Sequence, residues 1–223
     1  MKMQARSTVI IAFLTLACFF LVPVTSRATN LVVNGNFQGA TDPVVDLNGD
    51  VQLVSTNGLP GWTFTPSSVT PTLVNGTYLL INPNDAYPGG GCCSADFGAV
   101  GSTSNDLGTY DEISQALTTI PGKGYTLTFY LQDDGGTPGD LQVWWDGSYA
   151  DYPATTSGYV FAEYSYVVTG TGSDTLSFYG YDDGTYLELS NVSLVPVPEP
   201  SSIFMLLSGL AGLGEMIRRK VRA

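Results

Sequence analysis

Four aromatic residues crowd one short stretch of the chain: Trp144, Trp145, Tyr149 and Tyr152. Between them lies Asp146-Gly147, a pair suited to the two-residue turn of a β-hairpin. Sugars present C–H faces that pack on aromatic rings, while nearby acids and amides bind their hydroxyls. Successive residues of a strand face opposite ways, so only one of Trp144 and Trp145 can face a core, which leaves the other for a surface. These four are the candidate ligand-binding residues. The plainer reading is aromatic packing on a second sheet face.

Other chemistry has less support. Asp46-x-Asn48-x-Asp50 has the one-three-five spacing of a calcium loop, but Val51 stands where such a loop needs glycine and Asn57 where it needs glutamate. It reads as a solvated turn, as do Asp133-Asp134 and Asp182-Asp183, which precede glycines. The chain has no histidine, which excludes every triad or dyad built on imidazole. There is no Gly-x-Ser-x-Gly elbow and no glycine-rich phosphate loop. Paired carboxylates for glycoside hydrolysis cannot be placed from sequence. The expectation is a protein that is not an enzyme. Cys92 and Cys93 are adjacent and cannot staple distant strands. A vicinal disulfide, two thiols and an intermolecular bridge all stay open, while a common four-ligand zinc set lacks its residues.

Charge is unevenly placed. The net charge is −12, yet between residues 29 and 200 Lys123 alone stands against 19 acids. Such a surface repels nucleic acid and anionic headgroups, and suits cations or neutral ligands such as sugars.

The elements that must position these residues are short strands. Tyr125 to Leu131 alternates most clearly, with Tyr125, Leu127, Phe129 and Leu131 on one side and Thr126, Thr128 and Tyr130 on the other. Leu141 to Trp145 and Tyr149 to Tyr152 flank Asp146-Gly147. Thr72 to Val74 and Tyr78 to Ile81 flank Asn75-Gly76. Leu31 to Val33, Val51 to Val54, Trp62 to Phe64, Glu112 to Leu117, Phe161 to Val168, Thr175 to Tyr181 and Tyr186 to Leu194 complete the set. No interior segment keeps a helical period. Regular short strands with Gly- and Asn-rich turns predict an all-β antiparallel sandwich or jelly roll.

The two ends differ from the middle. Residues 1–28 read as a signal peptide: Lys2 and Arg6 lead an apolar run from Val9 to Val24, and Ser26 and Ala28 supply small residues for cleavage. Residues 29–195 are then the sandwich domain, and 196–223 a tail. Within the tail, 196–200 is a proline-stiffened linker, 201–217 an apolar stretch interrupted by Glu215, and 218–223 a basic end. As a helix, 201–217 spans about 25 Å, just short of a hydrocarbon core, with its basic end cytoplasmic and the domain outside.

Val197-Pro198-Glu199-Pro200, the apolar stretch and Arg218-Arg219-Lys220 together resemble the PEP-CTERM sorting signal. The resemblance implies that Pro198, Glu199 and Pro200 are recognised by an exosortase, an integral-membrane cysteine protease-transpeptidase. The helix would be an inner-membrane anchor and Arg218, Arg219 and Lys220 would hold its inner end. The family occurs in Gram-negative bacteria that make extracellular polysaccharide and biofilm. The segment Asn30-Leu31-Val32-Val33-Asn34-Gly35-Asn36-Phe37-Gln38, with Gly61-Trp62, residues 121–129 and residues 186–194, is similar to galactose-binding-like jelly rolls. That resemblance implies a structural calcium between first and last strands. Here the ligand positions are Gln38 and Asn191, with Ser190 beside it; amides bring no charge, so the expectation is no cofactor, or at most a weakened calcium.

The reading is therefore an exported cell-surface or biofilm-matrix protein that binds extracellular polysaccharide. A matrix protein with no discrete ligand site and a carboxylate-based glycan hydrolase are its alternatives.

Overall fold

The computed structural model describes residues 29–41, 44–45, 51–52, 57–67, 80–83, 92–98, 106–135, 139–151, 160–182, 185–198, 208–212 and 218. The signal-peptide stretch 1–28, the Asn75-Gly76 turn, the Asp46-x-Asn48-x-Asp50 stretch, Tyr152, Glu199, Pro200, Arg219, Lys220 and most of 201–217 lie outside the described residues.

The strands are β1 (Val44–Val45), β2 (Val51–Gln52), β3 (Thr63–Thr65), β4 (Leu80–Asn82), β5 (Ser94–Phe97), β6 (Asp111–Thr118), β7 (Gly124–Asp133), β8 (Gly139–Trp145), β9 (Ser148–Asp151), β10 (Ala162–Thr169), β11 (Ser173–Asp182) and β12 (Leu187–Pro196). They form a seven-stranded sheet ordered β1-β2-β4-β5-β12-β7-β10 and a five-stranded sheet ordered β3-β6-β11-β8-β9. Every neighbouring pair is antiparallel. From β6 onward the chain alternates between sheets, apart from the β8–β9 hairpin, which is the winding of a jelly roll. The all-β sandwich expected from turn spacing is the fold observed.

Alternation decides which side of each strand is buried. On β7, Tyr125, Leu127, Phe129 and Leu131 are buried while Thr126, Thr128 and Tyr130 are less so. Phe129 meets Phe178 of β11 edge-on at 5.2 Å, joining the sheets at mid-core. Trp62 packs between Phe37 and Phe178 and is buried.

Leu31 to Val33 does not form the expected strand. Leu31 donates one ladder bond to Leu194 O (2.9 Å), but side chains take the rest. Asn30 Oδ1 accepts from Val32 and Leu194, and the Gln115 amide accepts from Val33 N–H and donates to Val33 O. A buried glutamine therefore replaces a strand partner. Asn34, at φ 54°, then turns the chain and its side chain clasps the Gln38 backbone and Pro60 O. The turn abuts β12 so closely that a Cβ on Gly35 would sit 1.9 Å from Val192 O.

One carboxylate holds the turn that leads into β11. Asp174 of β11 is buried and accepts from Thr119 Oγ1, Thr171 N–H (2.9 Å) and Thr171 Oγ1 (2.8 Å). Burial alone would raise its pKa, but bonds to Thr119, Asp146 and Thr171 outweigh burial and hold it below the ordinary carboxylate value. Asp174→Ala is expected to cost about 2–3 kcal/mol by urea unfolding at pH 7. A lowered carboxylate pKa stabilises above the unfolded value and loses that as pH falls through the folded value, so the cost should shrink in acid.

Candidate functional site

The β8–β9 hairpin turns through Asp146 and Gly147, both at positive φ (52° and 68°), as its Asp-Gly sequence predicts. The turn fixes which tryptophan goes where. Trp145 points inward, is buried, and donates Nε1–H to Thr169 O at 3.0 Å. This takes Trp145 out of the candidate site. Trp144, one residue earlier, points out of the five-stranded sheet, opposite Tyr149 on β9 and Ser177 on β11.

Around Trp144 the outer face carries further rings. Tyr149 meets it edge-on at 5.8 Å and is half exposed (50 %). Tyr179 of β11 meets it edge-on from the other side at 6.1 Å. The indole N–H reaches Gln142 Oε1 at 3.2 Å. Tyr179 lies opposite both Gln142 on β8 and Glu112 on β6. Its pKa is pushed up to about 12, first by burial, then by the charge of Glu112 and a hydrogen bond to it. The phenol therefore stays protonated. Farther along, Tyr181 packs on Tyr110 at 4.7 Å, and Tyr110 O–H and Gln142 Nε2 both donate to Asp140.

The result is a ledge of three rings, with Tyr149 and Tyr179 each set edge-on to Trp144, bordered by a carboxylate and a carboxamide. Rings offer flat apolar faces and Glu112 offers polar atoms beside them, while Gln142 is buried and bonded to Trp144 and Asp140. The sequence singled out Trp144 and Tyr149 of this face but not their neighbours Tyr179, Glu112 and Gln142. Alternation of Leu176 and Phe178 with Ser177, Tyr179 and Tyr181 would have put Tyr179 on an outer face. Only the strand order could put that face beside Trp144.

The expected calcium ligands sit elsewhere. Gln38 is exposed, and Asn191 is half-buried at a bulge of β12, at φ 51°. Val192 N–H donates to Gly35 O at 2.8 Å, so the first segment and the last strand do adjoin there. Among the described residues, no three His, Cys, Asp or Glu side chains are grouped to hold a metal. Cys92 and Cys93 form a disulfide with each other, one of the three states left open by the sequence.

The tail leaves from the end of β12, an interior strand of the other sheet. Pro196 still pairs with Tyr125, and Val197 N–H donates to Gly124 O at 2.9 Å. Lys123 lies here, lining a shallow groove with Ile120, Val167, Val197 and Pro198. Residues 208–212 and Arg218 are helical and exposed. Among the described residues no helix is long and apolar enough to cross a membrane.

Fold and face together define a two-sheet antiparallel jelly-roll sandwich followed by a separate tail. The family described as "PEP-CTERM protein-sorting motif" matches residues 196–222, the tail that follows the sandwich. "Protein of unknown function (DUF642)" matches residues 94–196, from β5 to the end of β12. Among curated proteins, none matches the chain in sequence. Several solved structures are similar in fold. TmCBM61 in complex with β-1,4-galactotriose is 15 % identical with a TM-score of 0.46, the match covering 76 % of this chain and 100 % of that one. A CBM4 structure is 15 % identical with a TM-score of 0.45, covering 74 % of this chain and 99 % of that one. The enzymatically active domain of tailspike protein 4 from bacteriophage CBA120 is 14 % identical with a TM-score of 0.44. That match covers 73 % of this chain but only 21 % of the tailspike chain, so this chain spans about a fifth of it.

Proposed function

We propose that this is an exported surface or matrix protein whose sandwich binds extracellular polysaccharide, without cleaving it, through the outer face of its five-stranded sheet. One observation carries the reading: Trp144 faces outward between Tyr149 and Tyr179, with Gln142 and Glu112 alongside. A pyranose ring packs on such a ledge, with its hydroxyls turned toward the Glu112 carboxylate. The acids of this face are engaged in holding it, Glu112 by Tyr179 and Asp140 by Tyr110 and Gln142, which suits binding better than hydrolysis.

In this proposal residues 1–28 are removed on export and 201–217 anchor the chain in the inner membrane, its basic end in the cytoplasm. Pro198, Glu199 and Pro200 present the chain to an exosortase-type enzyme, which sorts it to the surface. The PEP-CTERM match over residues 196–222 supports this route.

The test is retention of the full chain, in detergent, on a panel of insoluble and immobilised polysaccharides. Wild type is expected to be retained on at least one, and Trp144→Ala to bind it at least about tenfold more weakly, the equivalent of about 1.4 kcal/mol. Failure of the wild type on every polysaccharide would overturn the reading in favour of a matrix protein without a ligand site.

A further inference from the structure

The turn that leads into β7 gathers exposed apolar side chains at the end of the domain from which the tail departs. Ile120-Pro121-Gly122-Lys123 carries proline and glycine at the two middle positions of a type II turn. Gly122 sits at φ 76°, and Lys123 N–H donates to Ile120 O at 3.1 Å. Ile120 N–H donates to the Tyr125 hydroxyl at 2.9 Å. Gly122 N–H donates to Gly170 O at 2.8 Å and Gly170 N–H to Lys123 O at 2.9 Å, which ties the turn to the end of β10. The turn is therefore fixed, yet Ile120 is 58 % exposed. Val167 of β10, close by, is 72 % exposed. Gly124 leaves a bare floor between Val167 and the tail. A Cβ there would meet Val197 Cγ2 at 3.5 Å and Val167 Cγ1 at 3.9 Å. Ile120, Pro121, Val167, Val197 and Pro198 thus line one continuous shallow surface, with Lys123 in it.

Charge sets this end apart. Lys123 is the one basic residue between residues 29 and 200. The carboxylates of the adjoining turn are engaged elsewhere. Asp174 is buried against Thr119 and Thr171, and Asp146 accepts from Thr175 N–H at 2.7 Å and Thr171 Oγ1 at 3.2 Å. Aliphatic side chains around a single cation fit a partner that is apolar inside and anionic at its border, as a phospholipid bilayer is.

Chain length brings the patch to that partner. The inference rests on the reading of 201–217 as the membrane anchor. Only residues 199 and 200 then lie between Pro198 and the first anchor residue, at most about 10 Å of chain. So short a tether keeps this end of the domain within reach of the headgroups.

We propose that this end of the sandwich, Ile120, Val167 and Lys123 foremost, docks on the anionic bilayer surface beside its own anchor. The aliphatic side chains enter the interface and the lysine reaches the lipid phosphates. Docking holds Pro198 and the two residues after it at the membrane surface, where an integral-membrane sorting enzyme meets its substrate. The polysaccharide-binding ledge lies on the other sheet and stays free.

The chain as exported, residues 29–223, tests this in vesicles of phosphatidylethanolamine with about one-quarter phosphatidylglycerol and a trace of lipid bearing a headgroup nitroxide. Val167→Trp adds an indole to the patch. Val160→Trp adds one at a position just as exposed (70 %), before the opposite end of β10. Emission of the native tryptophans is subtracted with the wild type. The nitroxide should quench most of the emission added at 167 and little of that added at 160. Ile120→Asp should relieve the quenching at 167. Lys123→Gln should do so too, because losing one interfacial cation weakens docking about fivefold. Either variant suffices if the other does not fold. Flotation with the vesicles is scored on the same samples. A chain that floats with its indole at 167 unquenched overturns docking and leaves the anchor standing. Equal quenching at 160 and 167, or quenching at 167 that persists in both Ile120→Asp and Lys123→Gln, overturns it too, since nearness would then come from the tether alone. A chain that does not float overturns the anchor, and docking with it.

Discussion

Replacing Trp145 by alanine is expected to destabilise the protein by about 3–5 kcal/mol, while Trp144→Ala costs about 1–2 kcal/mol. The two residues are adjacent and chemically identical, so the difference comes entirely from which way each points. Trp145 sits in the core cluster, and its N–H is satisfied by Thr169 O, at the end of β10 in the other sheet. Truncation leaves a cavity and strands a carbonyl. Trp144 loses two edge-on ring contacts and a bond to Gln142, all on the outer face. Urea unfolding followed by far-UV circular dichroism measures both. Equal costs, or the reverse order, would mean that β8 is paired one residue out of register, because a one-residue slip exchanges the two faces. Together with the polysaccharide assay the pair separates the two roles: Trp144→Ala should fold and fail to bind, and Trp145→Ala should bind only as far as it folds.

That contrast also shows where the sequence is informative. The turn at Asp146-Gly147 and the strict alternation of β7 rest on local rules, and both appear where those rules put them. The statement that one tryptophan must face outward needs only the two-residue period of a strand. Which one it is depends on how β8 docks on β11, a long-range matter. Strand β5 shows the limit more sharply. Ser94-Ala95-Asp96-Phe97 has the alternation of a half-exposed strand, yet it is short, follows a Gly-Cys-Cys stretch, and is buried on both faces. Nothing local announces that Asp96 will oppose Glu188, 92 positions later. The expected first strand fails for a similar reason, since Gln115, 82 positions beyond Val33, supplies the partner that a strand would have supplied. Tyr179, Glu112 and Gln142 come together from three strands, so the ledge is legible only as far as its one hairpin reaches.

The acidic surface suggests a protein weakened by acid, and Asp174 follows that rule, but Asp111 is expected to break it. Asp111 opens β6, is buried, and accepts one bond from Ser67 N–H at 2.9 Å; its other carboxyl oxygen has no hydrogen-bond partner among the described residues. Burial raises its pKa from 3.8 to about 6, and the Ser67 bond only partly opposes this. Between those values the folded state keeps a proton that the unfolded chain has released. Stability from this group is therefore complete below pH 3.8 and is lost as pH rises through 6, a difference of about 3 kcal/mol. Asparagine keeps an oxygen for Ser67 and carries no charge. Asp111→Asn should consequently leave stability nearly unchanged at pH 3.5 and raise it by up to about 2–3 kcal/mol at pH 7.5. Asp174 acts with the opposite sign, so the measurement is the difference between variant and wild type at each pH, by urea unfolding. A difference that stays constant from pH 3.5 to 7.5 would show that the buried acid does not titrate in this window, and the desolvation argued for it would be wrong.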